Sequence, residues 1–133
     1  MRALNVAIAV FALFGCGSGD TLPTTDNTVP TTTTFNVSVA SAPNSYTINT
    51  LQNPTLNVRR GVSYTFNLNA SGHPFYIMST QGTNTANHYP YGITNNGAQT
   101  GVLTFTVPMN APNTLYYDCS NHAAMTGVIS VTN

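Results

Sequence analysis

The sequence predicts an all-β fold, a Greek-key β-sandwich or barrel of about seven or eight short strands. Two observations lead to this fold class. Short runs of alternating apolar and polar residues are separated by clusters of proline, glycine and asparagine, and we find no long stretch with helical periodicity. The chain has 133 residues, which leaves room for one domain of about 100 residues behind a short leader.

The alternating runs begin at Phe35, where Phe35, Val37 and Val39 are separated by polar residues. A side-chain period of two over such lengths indicates strands with one buried face. The further runs that we interpret as strands lie at 45–51, 54–58, 62–68, 75–79, 102–107, 114–119 and 127–132.

The first residues are predicted to direct export and not to form part of the fold. Residues 1–15 read as a signal peptide, because Arg2 is followed by a mostly apolar run that is too short to span a bilayer. The sequence ending in Cys16 resembles a bacterial lipobox, in which the cysteine is lipidated and becomes the mature N-terminus. An ordinary cleaved signal with a chance cysteine is the alternative. We expect lipidation, since Cys16 lies where the apolar run ends and a polar segment begins.

That polar segment, residues 16–34, is rich in threonine and punctuated by glycine and proline. Its composition predicts a disordered tether, which would hold the domain at 35–133 off a membrane surface. The whole chain is only 5% charged, with no lysine, no glutamate and a formal net charge of zero. Because no basic stripe could neutralise phosphates, we expect no nucleic-acid partner.

One stretch between two predicted strands carries the chemistry. Cys119, His122 and Met125 are spaced C-x2-H-x2-M. A thiolate, an imidazole and a thioether are soft ligands that suit copper and are poorly suited to magnesium or calcium. His73 stands just before the run at 75–79, so a strand would deliver a second imidazole. The four residues predict a two-His, Cys, Met copper site.

These segments resemble the cupredoxin (blue copper, type 1) family over most of the chain, from about residue 47 to 133. The run at 54–68 leading to His73 is similar to the family's paired strands before its first histidine ligand. The run at 105–119, with its loop and final strand, is similar to the second ligand segment, with the short loop typical of amicyanins. The resemblance implies that His73, Cys119 and His122 are equatorial copper ligands and that Met125 is a weak axial one.

The chain departs from the family pattern after both histidines. The family commonly has an asparagine after the first histidine, which hydrogen-bonds across to the cysteine loop, and here the residue is Pro74. Proline has no N–H to donate, so we expect that bridge to be missing. Ala123 replaces the proline common after the second histidine, which also predicts a looser site. Asp118 adds a negative charge beside Cys119, which would favour Cu(II) if it lies close.

The resemblance implies a membrane-tethered carrier that transfers single electrons between redox partners in the periplasm or at the cell surface. Those partners would dock near His122, where Ala123 and Ala124 leave a shallow apolar patch. We expect no enzymatic activity and no small-molecule substrate, because four protein ligands leave no open position on the copper. The alternative is a cupredoxin-like module for copper binding or delivery, or for a structural or adhesive role. A thiol hydrolase is less consistent with the sequence, since no paired acid or oxyanion donor accompanies Cys119.

The connection at 80–101 is long and polar, with few apolar anchors. Loops of this length tend to be functional or to contain a short element of their own. It contains His88, which is either a secondary metal ligand or a solvated loop histidine. We expect the second, because no other ligand lies nearby at metal-binding spacing.

Overall fold

A computed structural model describes residues 32–41 and 44–133 of the chain. The predicted signal peptide, Cys16 and nearly all of the predicted tether lie outside the described residues. Over the residues described, no helix combines the length and the apolar character needed to cross a bilayer.

The described residues form strands and no α-helix, which confirms the predicted fold class. A single 3₁₀ turn lies at Thr85–Asn87 in the long connection. The strands are β1 Thr34–Ala40, β2 Ser45–Ile48, β3 Leu51–Gln52, β4 Leu56–Arg59, β5 Ser63–Asn69, β6 Phe75–Met78, β7 Ile93–Thr94, β8 Thr100–Thr106, β9 Thr114–Cys119 and β10 His122–Thr132.

The strands build two sheets that pack as a sandwich. The first sheet has the order β3-β2-β1-β5-β8-β7 and the second has the order β4-β10-β9-β6. The β1–β5 and β4–β10 pairs are parallel, and the other pairs are antiparallel. All eight predicted runs contain a strand. The two additional strands, β3 and β7, have two residues each, which is too short to produce a periodic pattern in the sequence.

One difference from the sequence prediction concerns the last strand. We predicted it to begin near Gly127, after a loop, whereas β10 begins at His122. The pairing with β9 slips between His122, which faces Cys119, and Thr126, which faces Asp118. The three residues between them bulge out of the ladder. Alternation breaks down at a bulge, so periodicity alone does not detect a strand there.

Aromatic rings join the two sheets at the end of the sandwich where β6 begins. Tyr46 of β2 meets Phe75 of β6 with ring centroids 5.0 Å apart, and Phe66 of β5 lies 5.5 Å from the same ring. Tyr117 of β9 stacks on Phe75 at 5.4 Å. All four side chains are fully buried. Contacts of this kind fix the position of β6 within the sandwich.

The long connection forms a hydrogen-bonded border along β6. The side chain of Asn96 accepts from the Ile77 N–H at 2.8 Å and donates to the Ile77 carbonyl at 3.1 Å, as a neighbouring strand would. The Phe75 N–H donates to the Ala98 carbonyl, and the Gly97 N–H donates to the Phe75 carbonyl. The connection also buries Tyr89, whose ring lies 6.1 Å from that of Phe105. Part of the long connection therefore forms the edge of the second sheet, next to β6.

Candidate metal centre

Three strand ends meet at one end of the second sheet. His73 lies two residues before β6, Cys119 ends β9, and His122 begins β10. Because β9 is paired with both neighbours, Cys119 faces Phe75 on one side and His122 on the other. The pairing of the sheet thus brings together residues that are 46 positions apart in the chain.

His73, Cys119 and His122 form a cluster that could hold a metal ion, each offering one ligand atom within 4.8 Å of the others. The Cys119 Sγ lies 3.9 Å from Nδ1 of His73 and 3.7 Å from Nδ1 of His122. The two imidazole rings face each other with centroids 4.6 Å apart. Two ring nitrogens and one sulfur converging on one point are a donor set suited to one copper ion.

The cluster is enclosed on one side and open on the other. Cys119 is fully buried and unpaired, whereas both histidines are partly exposed. The backbone N–H of Asn121 points at the Cys119 Sγ at 3.4 Å, which favours the thiolate form that a metal requires. Met125, the predicted fourth ligand, is fully buried in the same core cluster as Cys119, three positions after His122.

The two ligand segments are cross-linked despite Pro74. The side-chain amide of Asn121 donates to the Gly72 carbonyl at 2.9 Å. The bridge therefore runs from the cysteine loop to the first histidine segment, in the direction opposite to the one that the family pattern implies. The sequence indicated a missing bridge because only the residue after His73 was considered as its source.

Replacing Asn121 with alanine should loosen this cross-link. The bond is exposed, so we expect the free energy of unfolding of the metal-free protein to fall by about 0.5–1.5 kcal/mol. Urea denaturation of the variant beside Asn110→Ala, an exposed asparagine in a turn, measures the effect. Equal stability of the two variants would show that the cross-link contributes nothing.

Sequence reasoning missed a second contact to the histidine segment. The hydroxyl of Tyr46, on β2 of the opposite sheet, donates to the Pro74 carbonyl at 2.9 Å and lies 3.1 Å from the His73 carbonyl. Tyr46 belongs to an alternating apolar run and reads as an ordinary core residue. No signal in the sequence separates it from the other buried tyrosines.

The carboxyl group beside Cys119 faces away from the cluster. Successive side chains of a strand point to opposite faces, so Asp118 lies on the other side of β9 from Cys119. It is buried, with hydrogen bonds to the side chain of Thr126 and the backbone of Gly82, and its Oδ2 has no hydrogen-bond partner. Burial raises the pKa of this carboxyl, which the two hydrogen bonds oppose.

This raised pKa predicts a pH dependence of stability. The folded protein holds the Asp118 proton to higher pH than the unfolded chain does. Protonation of Asp118 therefore stabilises the folded protein. This contribution to the unfolding free energy is fully present below the pKa that Asp118 has in the unfolded chain, and it is lost as the pH rises through its pKa in the folded protein. We expect the unfolding free energy of the metal-free protein to fall with rising pH above about 4, less so in Asp118→Asn. Denaturation curves from pH 3.5 to 7 test this, and identical pH profiles for the two proteins would contradict it.

The remaining histidine lies apart from the cluster. His88 is exposed in the long connection, and its Nδ1 lies 2.8 Å from the Thr85 carbonyl. Among the residues described, it is not in a group of potential metal ligands. This agrees with the interpretation of His88 as a solvated loop histidine.

The two arginines of the described region lie far from the exposed edge of the cluster. Arg59 ends β4, which pairs with the last residues of β10, whereas His122 begins that strand. Arg60 donates to the Ala111 carbonyl and to the side chains of Asn113 and Asn133. The two arginines are thus at the opposite end of the sandwich.

Solved structures of similar fold include rusticyanins. Rusticyanin from Thiobacillus ferrooxidans is 25% identical to this chain, over 74% of this chain and 76% of its own, with a TM-score of 0.50. Another rusticyanin structure, whose description calls it a copper protein, matches with the same values. A pseudoazurin from Sinorhizobium is 18% identical, over 75% of this chain and 74% of its own, with a TM-score of 0.45. No family model and no curated protein matches the chain.

Proposed function

We propose that this chain, which has the cupredoxin fold and the ligand arrangement expected of that family, carries single electrons by means of one copper ion. The observation that supports this most directly is the convergence of the Cys119 sulfur with Nδ1 of His73 and of His122. We assign these three residues as ligands and Met125 as the weak fourth. The copper would supply one-electron exchange between Cu(I) and Cu(II).

The chain's own residues would hold the copper, shield it from water and connect it to the surface. The pairing of β9 with β6 and β10 holds the donors close together, which would keep their rearrangement small when the copper changes oxidation state. Cys119 gives up its proton when it binds as a thiolate. Its burial keeps water away from the sulfur, while the partly exposed ring of His122 provides a short route to the surface.

The surface around His122 favours an uncharged, partly apolar docking partner. Asn121, Ala123 and Ala124 are exposed there. The described arginines lie at the other end of the sandwich, and Asp118 is buried. Such a face matches a redox protein whose own docking patch lacks strong charge.

The role of a carrier, rather than an enzyme, follows from the proposed ligand set. Four protein ligands would leave no position on the copper for a substrate. Export and lipidation at Cys16 complete the proposal, because a tether at 16–34 would let the domain reach partners while it stays at a membrane. Metabolic labelling with a radioactive fatty acid, with Cys16→Ala as control, tests the anchor.

The visible and electron paramagnetic resonance spectra of the purified protein with one equivalent of Cu(II) test the metal centre. We expect a strong thiolate-to-copper absorption and a narrow copper hyperfine splitting. Copper that binds without the thiolate band, or does not bind, would refute the carrier function. The copper-delivery and structural alternatives would then have to be considered.

A further inference from the structure

The hydroxyl of Tyr46 is at the centre of the contacts between the two sheets near the proposed copper site. It donates to the Pro74 carbonyl at 2.9 Å and lies 3.1 Å from the His73 carbonyl. Tyr46 is fully buried, and its ring packs edge-on against Phe75. One hydroxyl thus joins the opposite sheet to the backbone of the segment that presents His73.

A phenol has one proton to donate, and the acceptors near this hydroxyl are the carbonyls of His73 and Pro74. Pro74 has no N–H to donate, so its carbonyl is the one backbone group through which it can be hydrogen-bonded in place.

We propose that Tyr46 is a positioning residue of the proposed copper site, which holds the His73–Pro74 backbone in the place from which His73 reaches Cys119. The proposal rests on the proposed function, because it assumes a bound copper ion. It gives a role to a residue outside both ligand segments, on the other sheet. The hydrogen bond from Tyr46 is a second link to the His73 segment, beside the one from Asn121. Both links are made by side chains from elsewhere in the chain, because Pro74 has no N–H to donate.

Loss of the backbone contact in Tyr46→Phe should leave His73 less well positioned. Cu(II) binding should therefore weaken by roughly tenfold, the equivalent of about 1.4 kcal/mol.

Tyr117→Phe is the matched control. Tyr117 is fully buried, belongs to the same aromatic group, and donates its hydroxyl to the Pro54 carbonyl at 2.7 Å. Tyr117→Phe thus loses a hydrogen bond of the same kind, and that hydrogen bond involves no proposed ligand. We expect it to lose stability while its affinity for Cu(II) stays at the wild-type value. Equal losses of Cu(II) affinity in both variants, or a loss in neither, would overturn the proposal.

Two measurements on metal-free protein separate this proposal from the proposed function. Amide hydrogen exchange at His73, whose N–H donates to the Ala70 carbonyl, should be faster in Tyr46→Phe than in Tyr117→Phe. If Tyr46→Phe fails to fold, proton NMR of the wild-type protein decides. The Tyr46 hydroxyl proton should be protected from exchange and close to His73 and Pro74. Failure of these results would refute the role of Tyr46, whereas failure of the wild type to show the thiolate band would refute the copper carrier.

Discussion

Replacing Cys119 with serine is expected to abolish the intense thiolate-to-copper absorption, because that band requires sulfur as the donor. Removal of a proposed ligand should also weaken Cu(II) binding by more than the roughly 10- to 100-fold typical of losing an outer-shell partner. The visible spectrum and a copper titration measure both effects. The serine is close in size, so the fold should be kept, and circular dichroism checks this.

Two matched variants make the result specific. Met125→Leu should keep a coloured site and raise its reduction potential, because the proposed axial thioether binds weakly and tunes the copper. A replacement of His88, which is exposed and lies outside the metal-ligand cluster, should change neither colour nor potential. A coloured Cys119→Ser protein would refute the ligand assignment. A shifted spectrum in the His88 variant would show that the long connection contributes to the site.

Truncation of Phe75 should have the largest effect on stability. The ring is fully buried between Tyr46, Phe66 and Tyr117, so Phe75→Ala would leave a cavity where the sheets meet. Losses of this kind cost about 3–5 kcal/mol. Chemical denaturation of the metal-free protein measures the change in unfolding free energy. Because Phe75 lies two positions after His73 and pairs with Cys119, copper binding should weaken as well.

Met109→Ala is the control for that prediction, since this side chain is 74% exposed. Substitutions on the surface typically change stability by less than about 0.5 kcal/mol. A Phe75→Ala protein as stable as Met109→Ala would show that the aromatic group does not hold the sheets together.

The fold and the proposed donors could be predicted because both leave short-range patterns in the sequence. Strands of four or more residues with one buried face produce alternation, and the donors Cys119, His122 and Met125 lie within one short stretch. His73 could be added because it stands just before such a strand. The family resemblance then supplied the equatorial and axial roles of the ligands.

The supporting contacts could not be predicted, since they depend on which residues meet across the sandwich. The Tyr46 hydroxyl contacts a carbonyl 28 positions away, and the Asn121 amide contacts one 49 positions away. Neither a tyrosine nor an asparagine indicates by its type which distant residue it will contact. The orientation of Asp118 is a different case, because the predicted strand at 114–119 already implies that Asp118 and Cys119 point to opposite faces.

The border that the long connection forms along β6 has a consequence for the behaviour of the protein in concentrated solution. A strand at the rim of a sheet offers unpaired backbone groups to which another copy can add, the first step of many aggregates. Here the amide of Asn96 and the backbone of Gly97 and Ala98 occupy those groups at Phe75 and Ile77. Another copy therefore finds no free backbone groups at these two residues of β6, and growth of a sheet from one molecule to the next is disfavoured along this border.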